Sequence, residues 1–193
     1  MDKASFRRNM RAKLQTLTPE DIRRRSARIA AKLIQSAWWQ ETELILAFCA
    51  MIGEVDANAI IHAAFDAGKM VGVPRVAGTG LIFHYIRNLA RAGDFTLSPF
   101  GIKEPLASLP VVDFAQRVSP KCLIVTPGLA FDRQKHRLGR GKGFYDRFLP
   151  QARTARECVA IGVCFAEQLL AYVPAGVHDQ AVDGVITEQA IIS

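Results

Sequence analysis

The chain has 193 residues, 50% of them hydrophobic and 22% charged, which is the balance of an ordinary soluble enzyme with core enough for a single domain over 1–193. Its longest uncharged apolar run, Leu44 to Ile52, is far short of the roughly 20 residues that span a bilayer, and no apolar signal segment follows the basic N-terminus, so neither membrane insertion nor export is expected. With 25 Lys and Arg against 18 Asp and Glu the net charge is +7, yet aromatics are 8% and not interleaved with the basic clusters, so small anions account for the charge better than nucleic acid.

Helix and strand patterns alternate along the chain. Lys3 to Leu17 places Phe6, Met10, Leu14 and Leu17 on one helical face and Lys3, Arg7 and Arg11 on another. Thr18-Pro19 supplies an N-cap and a first-turn proline for a second helix through about Gln35. Its apolar positions Ile22, Ile29 and Leu33 are sparse and its arginines many, which predicts a solvated surface helix. Leu44 to Ala50 reads as a strand buried on both faces, and Asp56 to Ala67 as an amphipathic helix capped by Asp56 and stopped by Gly68. Met70 to Val73, ended by Pro74, and Leu81 to Ile86 are the next strands. The Gly and Pro of residues 87 to 120 predict a long loop region that helps to cover a site. Cys122 to Thr126, Val159 to Phe165 and a last strand, Val182 to Thr187, complete the set, with a short helix at Gln168 to Tyr172. The order predicts an α/β fold: a central, mostly parallel sheet with helices on both faces and ligand sites beyond the C-terminal strand ends. Cys49, Cys122, Cys158 and Cys164 form no Cys-x-x-Cys pair and read as reduced thiols of a cytoplasmic protein; the four histidines show no metal-ligand spacing.

The most informative stretch is Pro127-Gly128-Leu129-Ala130-Phe131-Asp132 followed by Arg137-Leu138-Gly139-Arg140-Gly141-Lys142-Gly143-Phe144-Tyr145-Asp146. Glycine at three alternate positions removes Cβ atoms that would hold an anion off the backbone, and Arg137, Arg140 and Lys142 add positive charge. Phe144 to Leu149 reads as a helix whose N-terminal dipole points at whatever the loop holds. It is not a Walker A loop, because His136 stands where the first glycine belongs and Gly143 follows Lys142. Nor is it a dinucleotide fingerprint, whose third glycine would fall at Phe144. A ligand-free basic loop is the plain alternative.

This run resembles the signature of the 5-formyltetrahydrofolate cyclo-ligase family, also called methenyltetrahydrofolate synthetases. The likeness extends over nearly the whole chain: a basic N-terminal helix, Gly53-Glu54-Val55-Asp56 after a buried strand, Gly101-Ile102-Lys103-Glu104-Pro105, and His178-Asp179 before Val182-Asp183. It implies a monomeric enzyme that uses ATP and Mg²⁺ to join the formyl carbon on N5 of reduced folate to N10. The formyl oxygen would be phosphorylated, N10 would attack the resulting N5-iminium phosphate, and phosphate would leave.

The resemblance assigns Lys3, Arg7 and the loop Arg137, Leu138, Gly139, Arg140, Gly141, Lys142, Gly143, Phe144 and Tyr145 to ATP, with Lys142 and Arg140 as the catalytic charges. It assigns Cys49, Glu54 and Phe100 to folate together with residues 140–144, and Asp146 and Asp179 to Mg²⁺. Taken alone, Lys3 and Arg7 read as a solvated basic face, Glu54 as a surface acid, Cys49 as core and Phe100 as a loop anchor. Tyr145 fits a ligand neighbour or core, and Arg137 is suited to brace the loop through Asp132. Three departures from the family pattern stand out: Lys135 occupies a turn-glycine position, Phe144 replaces a tyrosine, and Ala57 follows Asp56 where threonine is common. The competing reading is a non-catalytic basic module for nucleotides or RNA on the same fold.

Overall fold

The computed structural model describes residues 2–89, 93–98, 101–114, 121–155 and 157–193. In chain order, helices α1 (Lys3–Leu14), α2 (Pro19–Ile34) and the one-turn α3 (Ala37–Gln40) precede strand β1 (Leu44–Leu46). Helix α4 (Asn58–Asp66) leads into β2 (Met70–Ala77) and β3 (Gly80–Ile86), then a ribbon of β4 (Phe95–Leu97) and β5 (Lys103–Pro105). The second half runs β6 (Cys122–Thr126), β7 (Ala130–Asp132), β8 (Arg137–Leu138), α5 (Phe144–Ala155) and β9 (Cys158–Val163). A 3₁₀ turn at Ala166–Gln168, β10 (Leu169–Leu170), β11 (Gly184–Ile186) and β12 (Ile191–Ile192) close the chain.

The main sheet has seven strands in the order β12-β11-β9-β6-β1-β2-β3. The five inner strands are parallel, while β3 and β12 pair antiparallel at the two edges. From β1 the chain builds outward through β2 and β3, then returns to β6 and builds the other way. The strand order therefore reverses between β1 and β6, and a crevice beyond their C-terminal ends is where such sheets bind ligands. Two segments leave those ends: 47–54 after β1 and 127–129 after β6.

Alternation along the strands divides the core. Ile45, Val71, Val73, Leu123, Val125 and Ile161 point to the face covered by α1, α2 and α4, where Met10, Ile29, Leu33 and Ile60 meet them. Leu44, Leu46, Cys122, Ile124 and Ala160 point to the opposite face, covered by α5 through Tyr145, Phe148, Leu149 and Ala152. The predicted sheet with helices on both faces is the observed one.

Several local expectations are corrected. Helix α2 is not a solvated surface helix: Ser26, Ile29, Ala30 and Leu33 are all buried. Small Ser26 and Ala30 complete an apolar stripe that a count of large residues underestimates. The Thr18 N-cap holds, its hydroxyl accepting from the Asp21 N–H. Asp56 lies one residue outside the cap of α4 and accepts from the Asn58 N–H.

Pro74 does not end its strand, since β2 continues to Ala77 paired with β3. Gly72 and Val76 direct their backbone groups away from β3, to the Ala47 N–H and to the Glu104 carboxylate respectively, so Pro74 between them lacks an N–H only on that side. Beyond Gly72 no β1 residue is paired there, and the missing donor costs no ladder bond.

Gln168 to Tyr172 is a 3₁₀ turn and then a short strand that pairs with β7 rather than a helix. The terminal strand is β12, not the 182–187 segment that contains β11.

The glycine-rich motif contains an unforeseen hairpin, β7 with β8. Its turn is made by Lys135 at φ 69°, the non-glycine residue with positive φ among the described residues. A left-handed conformation strains an L side chain by about 1–2 kcal/mol. Lys135→Gly is therefore expected to stabilise the fold by about 1 kcal/mol, raising Tm by roughly 2–4 °C in a thermal melt. A lower Tm would show that the Lys135 side chain contributes more than its backbone costs.

Candidate active site

Two cavities flank the glycine loop. The first, about 340 Å³, is largely apolar and lies against the sheet, lined by Phe48, Cys49, Met51, Pro74, Val76, Leu81, Ile102, Phe144 and Tyr145 with Glu54, Arg140 and Lys142 among them. The second, about 510 Å³, is the more polar of the two and lies between α1, the loop and the segment 177–180, with Lys3, Arg7, Arg137 and Arg147 as its cations. Arg137, Gly139, Gly143 and Asp146 belong to both walls. A group bridging the two cavities passes these four residues.

The loop keeps its shape through backbone conformations that only glycine adopts cheaply, Gly141 at φ 106° and Gly143 at φ 67°. Helix α5 starts directly after Gly143, whose carbonyl accepts the first helical bond from the Arg147 N–H at 3.1 Å. The positive end of its dipole thus opens at the loop. The helix runs to Ala155, past Pro150, six residues beyond the expected Leu149. Helix α1 docks on the loop through carbonyls: Arg7 Nε donates to Gly139 O and Arg11 Nη2 to Arg140 O, both at 3.0 Å. From the other side, the Arg147 guanidinium donates to the carbonyls of Thr79 and Lys142 and lies 5.7 Å from the Phe144 ring centre.

Ion pairs fix the charged groups. Glu54, buried after β1, accepts from Arg140 Nε and the Met51 N–H, at 2.8 and 2.9 Å. Arg137 Nη2 donates to Asp146 Oδ1 at 2.8 Å, and the Gln180 N–H reaches the same oxygen at 3.2 Å. Lys3 pairs with Asp179. Burial opposes ionisation of Asp179, but the Lys3 ammonium and the Gly176 N–H outweigh it and hold that carboxyl below its ordinary value. Burial pushes the Cys49 thiol up to about 11, so it stays protonated as an apolar wall.

One bracing expectation is overturned. Arg137 pairs with Asp146 and not with Asp132, which is fully buried and instead accepts from His136 and the Val173 N–H. The hairpin turns Arg137 away from its own neighbour and toward α5.

The structure gathers the remaining expected residues unevenly. Lys3, Arg7, Leu138, Gly141 and Asp179 line the polar cavity alone, and Cys49, Glu54, Arg140, Lys142, Phe144 and Tyr145 the apolar one. Leu138 is buried, paired with Ala130 in the β7–β8 hairpin. Phe100 lies outside the described residues.

Arg11, Arg147, Pro74, Val76, Lys103 and Glu104 were missed as wall residues. Arg11 continues the spacing of Lys3 and Arg7, a signal that was visible. Arg147, one turn into α5, had none. Among the described residues no group of three or more His, Cys, Asp or Glu could by itself hold a metal ion. No helix there is long and apolar enough to cross a membrane.

The model of the 5-formyltetrahydrofolate cyclo-ligase family matches residues 1–188. The chain is 30% identical to the Mus musculus 5-formyltetrahydrofolate cyclo-ligase over 97% of its own length and 94% of that protein's. It is 26% identical to the Escherichia coli K12 protein of the same name, over 94% and 98% of the two lengths. Its fold is similar to the NMR structure of Aquifex aeolicus 5,10-methenyltetrahydrofolate synthetase, with a TM-score of 0.81 and 27% identity over 99% of this chain and 92% of that one.

Proposed function

The chain belongs to the 5-formyltetrahydrofolate cyclo-ligase family, and from that premise we propose that it cyclises 5-formyltetrahydrofolate to 5,10-methenyltetrahydrofolate at the expense of ATP, releasing ADP and phosphate. The observation that carries the reading is the junction: an apolar cavity with a buried glutamate meets a cation-lined cavity across Arg137, Gly139, Gly143 and Asp146. A pterin suits the first and a polyphosphate the second, and the formyl oxygen and the γ-phosphorus would meet between them.

A formamide oxygen is a very poor leaving group, so ring closure needs it converted to phosphate. Phosphoryl transfer asks the protein mainly for positioning and positive charge. The loop N–H groups, the α5 N-terminus, Lys3 and Arg7 would hold the polyphosphate, and Lys142 would meet charge on the transferred group. Glu54 would turn to the N–H edge of the pterin, which frees Arg140 from the pair it makes in the free protein.

The donor set fits Mg²⁺: Asp146 and Asp179 line the polar cavity, each held by a cation, and a hard ion that keeps waters and substrate phosphates needs only one or two carboxylates. Bound there, the ion would neutralise polyphosphate charge. The four free cysteines suit a reducing compartment such as the cytoplasm, and nothing in the mechanism calls for a second subunit.

The test is direct. Purified protein mixed with 5-formyltetrahydrofolate, ATP and Mg²⁺ is expected to develop the near-ultraviolet band of the methenyl product; no band, with RNA bound tightly, would favour a non-catalytic module. Lys3→Ala and Arg7→Ala are each expected to raise the KM for ATP by about tenfold and that for the folate by less than about twofold. Equal effects on both substrates would make α1 a structural prop.

A further inference from the structure

Tyr145 is buried, and its hydroxyl has no hydrogen-bond partner among the described residues. Native proteins rarely leave a buried hydroxyl orphaned without a use. The same holds for Arg137 Nε, and the Arg137 guanidinium lies 5.5 Å from the centre of the Tyr145 ring. Two residues in contact through the ring face thus each carry an unsatisfied buried polar atom, and both line the apolar cavity.

The surroundings show which cavity the hydroxyl serves. Tyr145 stands in the wall of the apolar cavity, together with Glu54 and Cys49. Tyr145 does not line the polar cavity, although its neighbours Gly143 and Asp146 line both. A phenol hydroxyl is both a donor and an acceptor, and as a donor it needs an acceptor oxygen or nitrogen from the ligand. On the ligand side, the N–H edge of a pterin consists of donors and is matched by Glu54, a pure acceptor. The acceptor that must reach the junction is the formamide carbonyl oxygen.

Resting on the cyclo-ligase reading, we propose that the Tyr145 hydroxyl is a catalytic group that donates a hydrogen bond to the carbonyl oxygen of the substrate's N-formyl group, on the folate side of the site, with Arg137 Nε as its companion donor. The hydroxyl keeps its proton throughout. It fixes the oxygen that attacks the γ-phosphorus as ADP departs.

Tyr145→Phe and a ligand lacking the oxygen test this together. Without ATP, the variant is expected to bind 5-formyltetrahydrofolate about tenfold more weakly than the parent, and 5-methyltetrahydrofolate, which has no carbonyl at N5, within about twofold. Turnover should fall with the KM for ATP unchanged, and Tm should hold or rise because an unsatisfied polar group has been removed. Equal loss of both folates, loss of neither, a raised KM for ATP alone, or a Tm lowered by several degrees would each overturn the assignment while leaving the cyclo-ligase reading intact. A parent protein that binds neither folate would overturn that reading, and this proposal with it.

Discussion

Lys142→Ala is expected to lower kcat by about 10²–10³-fold while Tm stays within about 1 °C of the parent. The two halves of that expectation come from different parts of the structure. Lys142 is exposed between the two positive-φ glycines, and its carbonyl, not its side chain, is what Arg147 holds at 2.8 Å. Truncating the side chain therefore leaves the loop's internal supports in place. Lys142 lines the apolar cavity and not the polar one, which would suit a charge that meets the phosphoryl group after it has crossed the junction. A compact ammonium that acts on the transition state lowers kcat more than it raises KM. Stopped-flow or steady-state measurement of methenyl formation decides it: turnover within about threefold of the parent would take Lys142 out of the reaction.

What could be read in advance follows from how locally each feature is encoded. Alternate glycines and the Thr18-Pro19 start act within a few residues of themselves, so the loop and the entry to α2 were legible. The apolar runs at Leu44 and Cys122 announced strands buried on both faces. The burial of α2 was not legible, because Ser26 and Ala30 do the packing that large residues normally advertise. The strand through Pro74 was not, since the tolerance lies in the neighbour: β1 ends opposite Gly72, so no ladder bond to it is due at Pro74.

Site partnerships were the least accessible. Glu54 and Arg140 are 86 positions apart and meet only because β1 and β6 are adjacent at the point of strand reversal. Arg137 looked suited to Asp132, five residues away, but the β7–β8 hairpin faces them differently and delivers Arg137 to Asp146 on the following helix. In both cases the residue types were identified and the pairing was set by topology.

The pairing changes what is expected of the two acids assigned to Mg²⁺. Asp146→Asn and Asp179→Asn should each raise the Mg²⁺ concentration for half-maximal rate by about tenfold or more, with kcat for Asp146→Asn down about 10²-fold and folate binding without ATP little changed. They should differ in stability. Asp146 is the carboxylate partner of a guanidinium whose side chain is only 4% exposed, and neutralising it strands that charge at a cost of about 3 kcal/mol. Asp179 answers Lys3 where both are partly exposed, so screening leaves little stability at stake. Kinetics of Asp146→Asn are accordingly compared well below its lowered Tm. If both acids serve one ion, the double variant should lose less activity than the product of the single losses, although 33 positions separate them in sequence. Losses that multiply, with an unaltered Mg²⁺ requirement in either single variant, would mean that these carboxylates only position Arg137 and Lys3, and that the ion is held by phosphate and water alone.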